Sequence, residues 1–150
     1  MNVSRIDHVG ITTSDLERSL RFYVELLGMR LISRSTLSAP EIAALLGLES
    51  VEIEDADLDS GDGRIIELFQ YVQPTGERVD HHSWDFPTTH IAFTVSDLAA
   101  VQSRLTEAGV EIISSRPLVN PGTDGPWAGV QCLYLRDPDG VIIELVQRPG

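Results

Sequence analysis

The sequence predicts an α+β protein built from two tandem βαβββ modules, and three observations predict it. "DHVGITTSDLERS", from Asp7, aligns with "THIAFTVSDLAAV", from Thr89, which sets His8 on His90 and Ser14-Asp15-Leu16 on Ser96-Asp97-Leu98. "DGRIIELFQ", from Asp62, matches "DGVIIELVQ", from Asp139, at seven of nine positions, with Glu67 on Glu144. Between these anchors each copy passes from strand-like alternation to helical periodicity and back. Chance produces one such match, hardly two in the same order. The whole chain, 1–150, then reads as a single domain: module one over about 5–71, a linker over about 72–88 and module two over about 89–148.

The elements follow in order. "RIDHVGITT" alternates as a strand, with Ile6, His8, Gly10 and Thr12 on one face and Val9 and Ile11 on the other. Ser14 is the expected N-cap of a helix, Ser14-x-x-Glu17 fits a capping box, and Gly28 stops the helix after Leu27. Its apolar face is Leu16, Leu20, Tyr23, Val24 and Leu27. Strands near Met29–Ser35, Val51–Asp57 and Arg64–Tyr71 complete the module, and "SAPEIAALLGL" adds a short helix that copy two lacks. In copy two the expected strands are His90–Val95, Glu111–Arg116, Gln131–Arg136 and Val141–Gln147. Its helix, near Leu98–Ala108, is expected to be capped by Ser96 and stopped by Gly109. With one residue deleted from copy two, "LGMRLIS" falls on "AGVEIIS". "VQPTGERVDHHSWDFP" is polar, carries Pro and Gly, and joins the modules.

Composition narrows the function. The net charge of −12 disfavours nucleic acid and anionic membranes as partners. No apolar run is long enough to span a membrane, and the first residues lack a signal peptide's apolar stretch, so a cytoplasmic protein is expected. Cys132 is the one cysteine, which excludes an intrachain disulfide and a cysteine-based zinc cluster; in "GVQCLYLRD" a buried structural thiol is expected. No phosphate-cradling glycine loop and no Gly-x-Ser-x-Gly elbow is present.

The histidines then separate. His8 and His90 hold matching positions on opening strands, whereas His81 and His82 fall in the linker, as solvated residues or, with Trp84, as part of a lid. Glu67 and Glu144 each lie mid-strand between apolar neighbours, where a carboxylate is costly unless it is paired or bound to a cation. The residues allow two readings: four separately satisfied side chains, or one centre. Because the repeat matches all four, the second is favoured. His8, Glu67, His90 and Glu144 form a mixed N/O set suited to one divalent metal ion (Zn, Ni, Co, Mn or Fe), with room for substrate oxygens.

These duplicated βαβββ modules, the "FYVELLG" helix end and "RDPDGVIIELV" resemble the vicinal oxygen chelate superfamily of glyoxalases, bleomycin resistance proteins and extradiol dioxygenases. The resemblance covers nearly the whole chain. It implies an eight-stranded half-open barrel, a cup with flanking helices and a metal on its floor, often completed in a homodimer. It also implies a small-molecule substrate whose adjacent oxygens meet the metal.

The His/Glu/His/Glu order favours a glyoxalase-type lyase or isomerase. Such an enzyme transfers a proton next to a carbonyl through a metal-bound enediolate, with Glu67 or Glu144 as catalytic base. A ferrous extradiol dioxygenase is the alternative, although those enzymes lack a counterpart of Glu67. A second alternative is a metal-free protein that sequesters a small molecule. Thr12 and Tyr71 stand where bacterial glyoxalase I has the Arg and Asn that hold glutathione, a departure that argues against glyoxalase I itself and leaves the substrate open. Tyr71, Trp127 and Arg116 are the candidate substrate contacts; Arg34, Arg64 and Arg116 are read either as solvated surface charges or as groups at the cup rim. Trp127, in "LVNPGTDGPWAG", suits a lid or plain packing equally.

Overall fold

The computed structural model describes residues 2–122 and 124–150; Thr123, in the Trp127 loop, lies outside them. The chain divides into two compact units, one ending at Arg78 and the next beginning at Val79, a boundary inside the expected linker.

The first unit runs β1 (His8–Thr12), α1 (Leu16–Leu20), β2 (Arg30–Leu37), α2 (Pro40–Leu46), β3 (Glu52–Asp59) and β4 (Ile65–Gln73). Its sheet has the order β1-β4-β3-β2, with β1 parallel to β4 and the other pairs antiparallel. The second runs β5 (His90–Thr94), α3 (Leu98–Glu107), β6 (Leu118–Val119), β7 (Gln131–Arg136) and β8 (Ile142–Gln147), in the order β5-β8-β7-β6. Again the opening strand is parallel to the closing one. The βαβββ repeat is therefore present twice. Among the described residues no helix is long and apolar enough to cross a membrane.

Alternation sets the buried faces. In unit one α1 packs against β3 and β4, and Ile11, Ala56, Leu58, Ile66 and Leu68 are buried. In unit two α3 packs against β8, with Leu98, Leu105, Leu133, Leu135, Ile143 and Leu145 buried. The repeated "IIEL" thus buries its second isoleucine and its leucine and leaves the glutamate on the other face. The repeat's final glutamine has a use too. Gln70 Oε1 accepts from the Leu16 N–H at 2.8 Å and Gln147 Oε1 from the Leu98 N–H at 2.6 Å, so each closing strand satisfies the first N–H of its helix.

Three expectations need correction. The N-caps are Asp15 and Asp97, not Ser14 and Ser96; their carboxylates accept from the N–H groups of Arg18 at 3.0 Å and Ala100 at 2.9 Å. Ser14 Oγ instead accepts from the Arg18 guanidinium at 2.8 Å. The helix starts one residue later because the carboxylate is the stronger acceptor at the positive end.

The first helix also does not remain α-helical. Arg21–Leu26 forms a π-helical segment, and the Leu27 N–H reaches back five residues to the Phe22 carbonyl at 3.0 Å. A π segment houses one extra residue within a helix. That is the residue the sequence alignment deletes from copy two, so the register of both copies is kept up to Gly28 and Gly109, which have φ of 81° and 76°.

Finally, the strand expected over Glu111–Arg116 is reduced to one bridge, Ile112 with Leu135. The N–H groups of Ile113 and Ser114 both donate to the Tyr134 carbonyl, while the Tyr134 N–H donates to Ser114 Oγ. A side chain has replaced a backbone acceptor, and Pro117 has no N–H to resume the ladder there. Pairing restarts at Leu118–Val119.

Candidate functional site

In unit one Glu67 lies mid-β4, opposite Gly10 of β1 and Asp57 of β3. His8 opens β1, and its Nε2 stands 3.1 Å from Glu67 Oε2. The Nδ1 of His8 is 3.2 Å from Asp7 Oδ1, and when Nδ1 carries the proton for that contact the neutral ring has Nε2 available to ligate. Hydrogen bonding to Asp7, then the charge of Glu67, holds the His8 pKa above its ordinary value. Burial raises that of Glu67, and the like charges of Asp55 and Asp57 add to the rise, while His8 opposes it. Gly10 has a packing reason: a Cβ there would meet the Phe69 ring at 3.0 Å. In unit two the corresponding residues are Ala92 and Val146, the larger residue on one strand and the smaller on the other.

In unit two His90 Nε2 stands 3.2 Å from Glu144 Oε2, and Glu144 lies opposite Ala92 and Tyr134. The Tyr134 hydroxyl lies 3.4 Å from both His90 Nε2 and Glu144 Oε2, and the two rings meet edge-on at 5.2 Å. Burial, then the Glu144 charge, raises the Tyr134 pKa and keeps the phenol protonated. Cys132 is half-buried rather than buried, on the face of Tyr134. Burial and a hydrogen bond to Glu144 push its thiol up, the opposite of what a nucleophile needs.

Each module therefore builds a histidine–glutamate pair from its two parallel strands. Two donors bound cis to one ion at about 2.1 Å lie about 3.0 Å apart. The separations of 3.1 Å and 3.2 Å suit that requirement, and the imidazole and carboxylate donors suit a first-row divalent ion.

Tyr71 packs against the cluster of Ala43, Val51 and Ile53 beneath α2. Trp127 is half-exposed, with the Arg148 guanidinium 5.3 Å over its ring. Arg116 is exposed on the bend before β6, and among the described residues no hydrogen bond or ion pair joins it to either pair. Arg34 is paired with Glu17 at 2.6 Å, and Arg64 with Asp62. In the linker His82 stacks on Trp84 at 4.6 Å and bonds Asp85.

Three residues escaped the sequence reading: Tyr134, Asp57 and Asp55. Tyr134 and Asp57 hold the same place, directly across the ladder from the closing-strand glutamate. The repeat could have revealed this only with the strand register in hand.

The family model for the Glyoxalase/Bleomycin resistance protein/Dioxygenase superfamily matches residues 5–145. A "Probable lactoylglutathione lyase" of Vibrio parahaemolyticus is 29% identical over 150 residues, covering 98% of this chain and 93% of that protein. A 2-epi-5-epi-valiolone epimerase of an Actinomyces species is 28% identical over 149 residues, covering 97% and 80%. Among solved structures, a glyoxalase family protein from Bacillus cereus superposes with a TM-score of 0.82 at 25% identity, covering 100% of this chain and 97% of that one.

Proposed function

Because the chain belongs to the glyoxalase/bleomycin resistance protein/dioxygenase superfamily, we propose that it is a divalent-metal-dependent lyase or isomerase that moves a proton next to a carbonyl on a small α-oxygenated substrate. The observation that carries this reading is the histidine–glutamate pair built twice, at 3.1 Å and 3.2 Å. His8, Glu67, His90 and Glu144 would hold the ion, whose Lewis acidity lowers the cost of negative charge on the substrate oxygen.

The chain's own groups do the rest. Glu67 or Glu144 takes the proton from carbon; the same carboxyl returns it to the neighbouring position on that face, whereas delivery to the opposite face falls to the other carboxyl. Tyr134, with its hydroxyl beside Glu144, donates a hydrogen bond to the carboxylate oxygen and sets its direction. Asp7 orients the His8 ring by accepting from its Nδ1–H. The relatives named as a lyase and an epimerase support proton-transfer chemistry of this kind. A homodimer belongs to the same reading.

Elemental analysis of the purified protein beside His90→Ala is the test. About one equivalent of nickel, cobalt, zinc or manganese in the parent, lost in the variant, supports the reading. Iron together with catechol-dependent oxygen uptake would replace it with ring cleavage. No metal after loading with each ion would leave the sequestering protein in its place.

A further inference from the structure

We propose that Asp55, Asp57 and Glu67 form an oxygen-only site for a hard divalent cation of calcium size. One carboxylate oxygen from each residue lies within 4.8 Å of the others. Oxygens on opposite sides of Ca²⁺ are about 4.8 Å apart, whereas around Mg²⁺ they are about 4.1 Å apart. Three oxygens inside that bound can all meet one ion of calcium size.

An acidic cluster alone is weak ground, since such groups commonly stand in solvent. Here a second observation points to a ligand. Asp55 is only 6% exposed; its Oδ2 accepts from Ser35 Oγ at 3.0 Å, but its Oδ1 is buried with no donor. A carboxylate oxygen in that state is costly unless a cation or a proton takes it up, and burial raises the Asp55 pKa. The neighbouring arginines do not. Arg30 pairs with Asp59, Arg34 with Glu17 and Arg64 with Asp62. The pairing register places Asp57 across from Glu67, and alternation puts Asp55 on the same face, with Ser33 and Ser35 beside the two aspartates. Two carboxylates, a third shared with the His8 pair, and water make a hard, flexible set that calcium prefers and that zinc or nickel does not.

This site stands on module one alone and needs neither histidine. Glu67 is common to it and to the imidazole-bearing set, so filling one is expected to change the affinity of the other. Calorimetric titration of Ca²⁺ into the metal-stripped full-length protein tests the proposal. The expected result is one equivalent bound with Kd between about 10⁻⁵ and 10⁻³ M, retained in His8→Ala and weakened at least tenfold in the Asp55→Asn/Asp57→Asn double variant. Thermal melts of the same proteins, and of Asp57→Asn alone, check folding; Ca²⁺ should raise the parent's Tm and leave the double variant's unchanged. No Ca²⁺ uptake by the parent at millimolar concentration, or equal uptake by a folded double variant, would overturn the site. Parent protein that takes up zinc or nickel but no calcium overturns only this proposal; calcium without any transition metal overturns only the function proposed above.

Discussion

The two modules share a scaffold and differ on the face that carries the chemistry. Both place a histidine on the opening strand about 3 Å from a glutamate on the closing strand, and both satisfy the first helical N–H with the closing-strand glutamine. Across the ladder they diverge. Module one sets Asp57 opposite its glutamate and buries Asp55 beside it, while module two sets Tyr134 and Cys132 at the corresponding places. Module one is thus rich in charge and acceptors, and its glutamate is raised in pKa by burial and like charge. Module two offers a neutral phenol instead. A duplicated frame can hold the ligand type constant while the neighbouring strand sets how each ligand behaves.

The largest expected effect comes from removing one histidine at a time. If both pairs serve one ion, His90→Ala should lower metal occupancy by about 100-fold or more, since even outer partners of a ligand cost 10–100-fold. His8→Ala should lower it somewhat less, because Asp57 and Asp55 leave oxygen donors beside Glu67 that are poorer for zinc than the imidazole but still able to bind it. Equilibrium dialysis of the two variants against zinc ranks them. Equal losses would mean that the acidic side chains of module one do not compensate.

Next comes Tyr134→Phe. The hydroxyl touches both His90 and Glu144 at 3.4 Å, so its loss frees two ligands at once. Metal affinity should fall about tenfold, as for other outer partners, with thermal stability nearly unchanged. The same dialysis checks it, and an unchanged affinity would reduce Tyr134 to packing against the His90 ring.

A smaller and equal effect is expected where the modules are alike. Gln70→Ala and Gln147→Ala each leave a helix-start N–H without its side-chain acceptor, and each should cost about 1 kcal/mol in urea unfolding. Unequal costs would show that the two glutamine contacts are not equivalent.

The repeat made much of this legible in advance. His8, Glu67, His90 and Glu144 stand out because each pair recurs at matched positions, with apolar neighbours that fix which way a mid-strand glutamate faces. What failed was whatever depends on partners distant in sequence or on competition between near-equal choices. Asp55 and Asp57 look like ordinary solvated charges in "EIEDADLD" until the register of β3 against β4 brings them beside Glu67. Tyr71 stands out in the sequence by its matching place in bacterial glyoxalase I, but α2, an insertion within module one, supplies part of the apolar cluster it packs on. Ser14 and Asp15 are adjacent cap formers, and local pattern alone does not choose between them. The strand over Glu111–Arg116 lost its ladder to a serine hydroxyl, a tertiary contact invisible in apolar periodicity.

The smallest effect concerns protons on His8. Its pKa is raised, chiefly by the hydrogen bond to Asp7 and then by Glu67. Stability from this contact is therefore present in full below the unfolded histidine value of about 6.5 and is lost as pH rises through the higher folded value. A metal ion needs the neutral ring, so acidification works against loading from a pH already above 6.5. His90 differs, because its Nε2 meets a phenol as well as a carboxylate and no neighbouring acid is bonded to its other nitrogen among the described contacts. In metal-free protein, NMR titration of the ring protons should give His8 a midpoint above about 6.5, and Asp7→Asn should lower it. If Asp7→Asn leaves the midpoint in place, Glu67 alone sets the basicity of His8, and the two modules are closer in their electrostatics than the strands opposite their glutamates suggest.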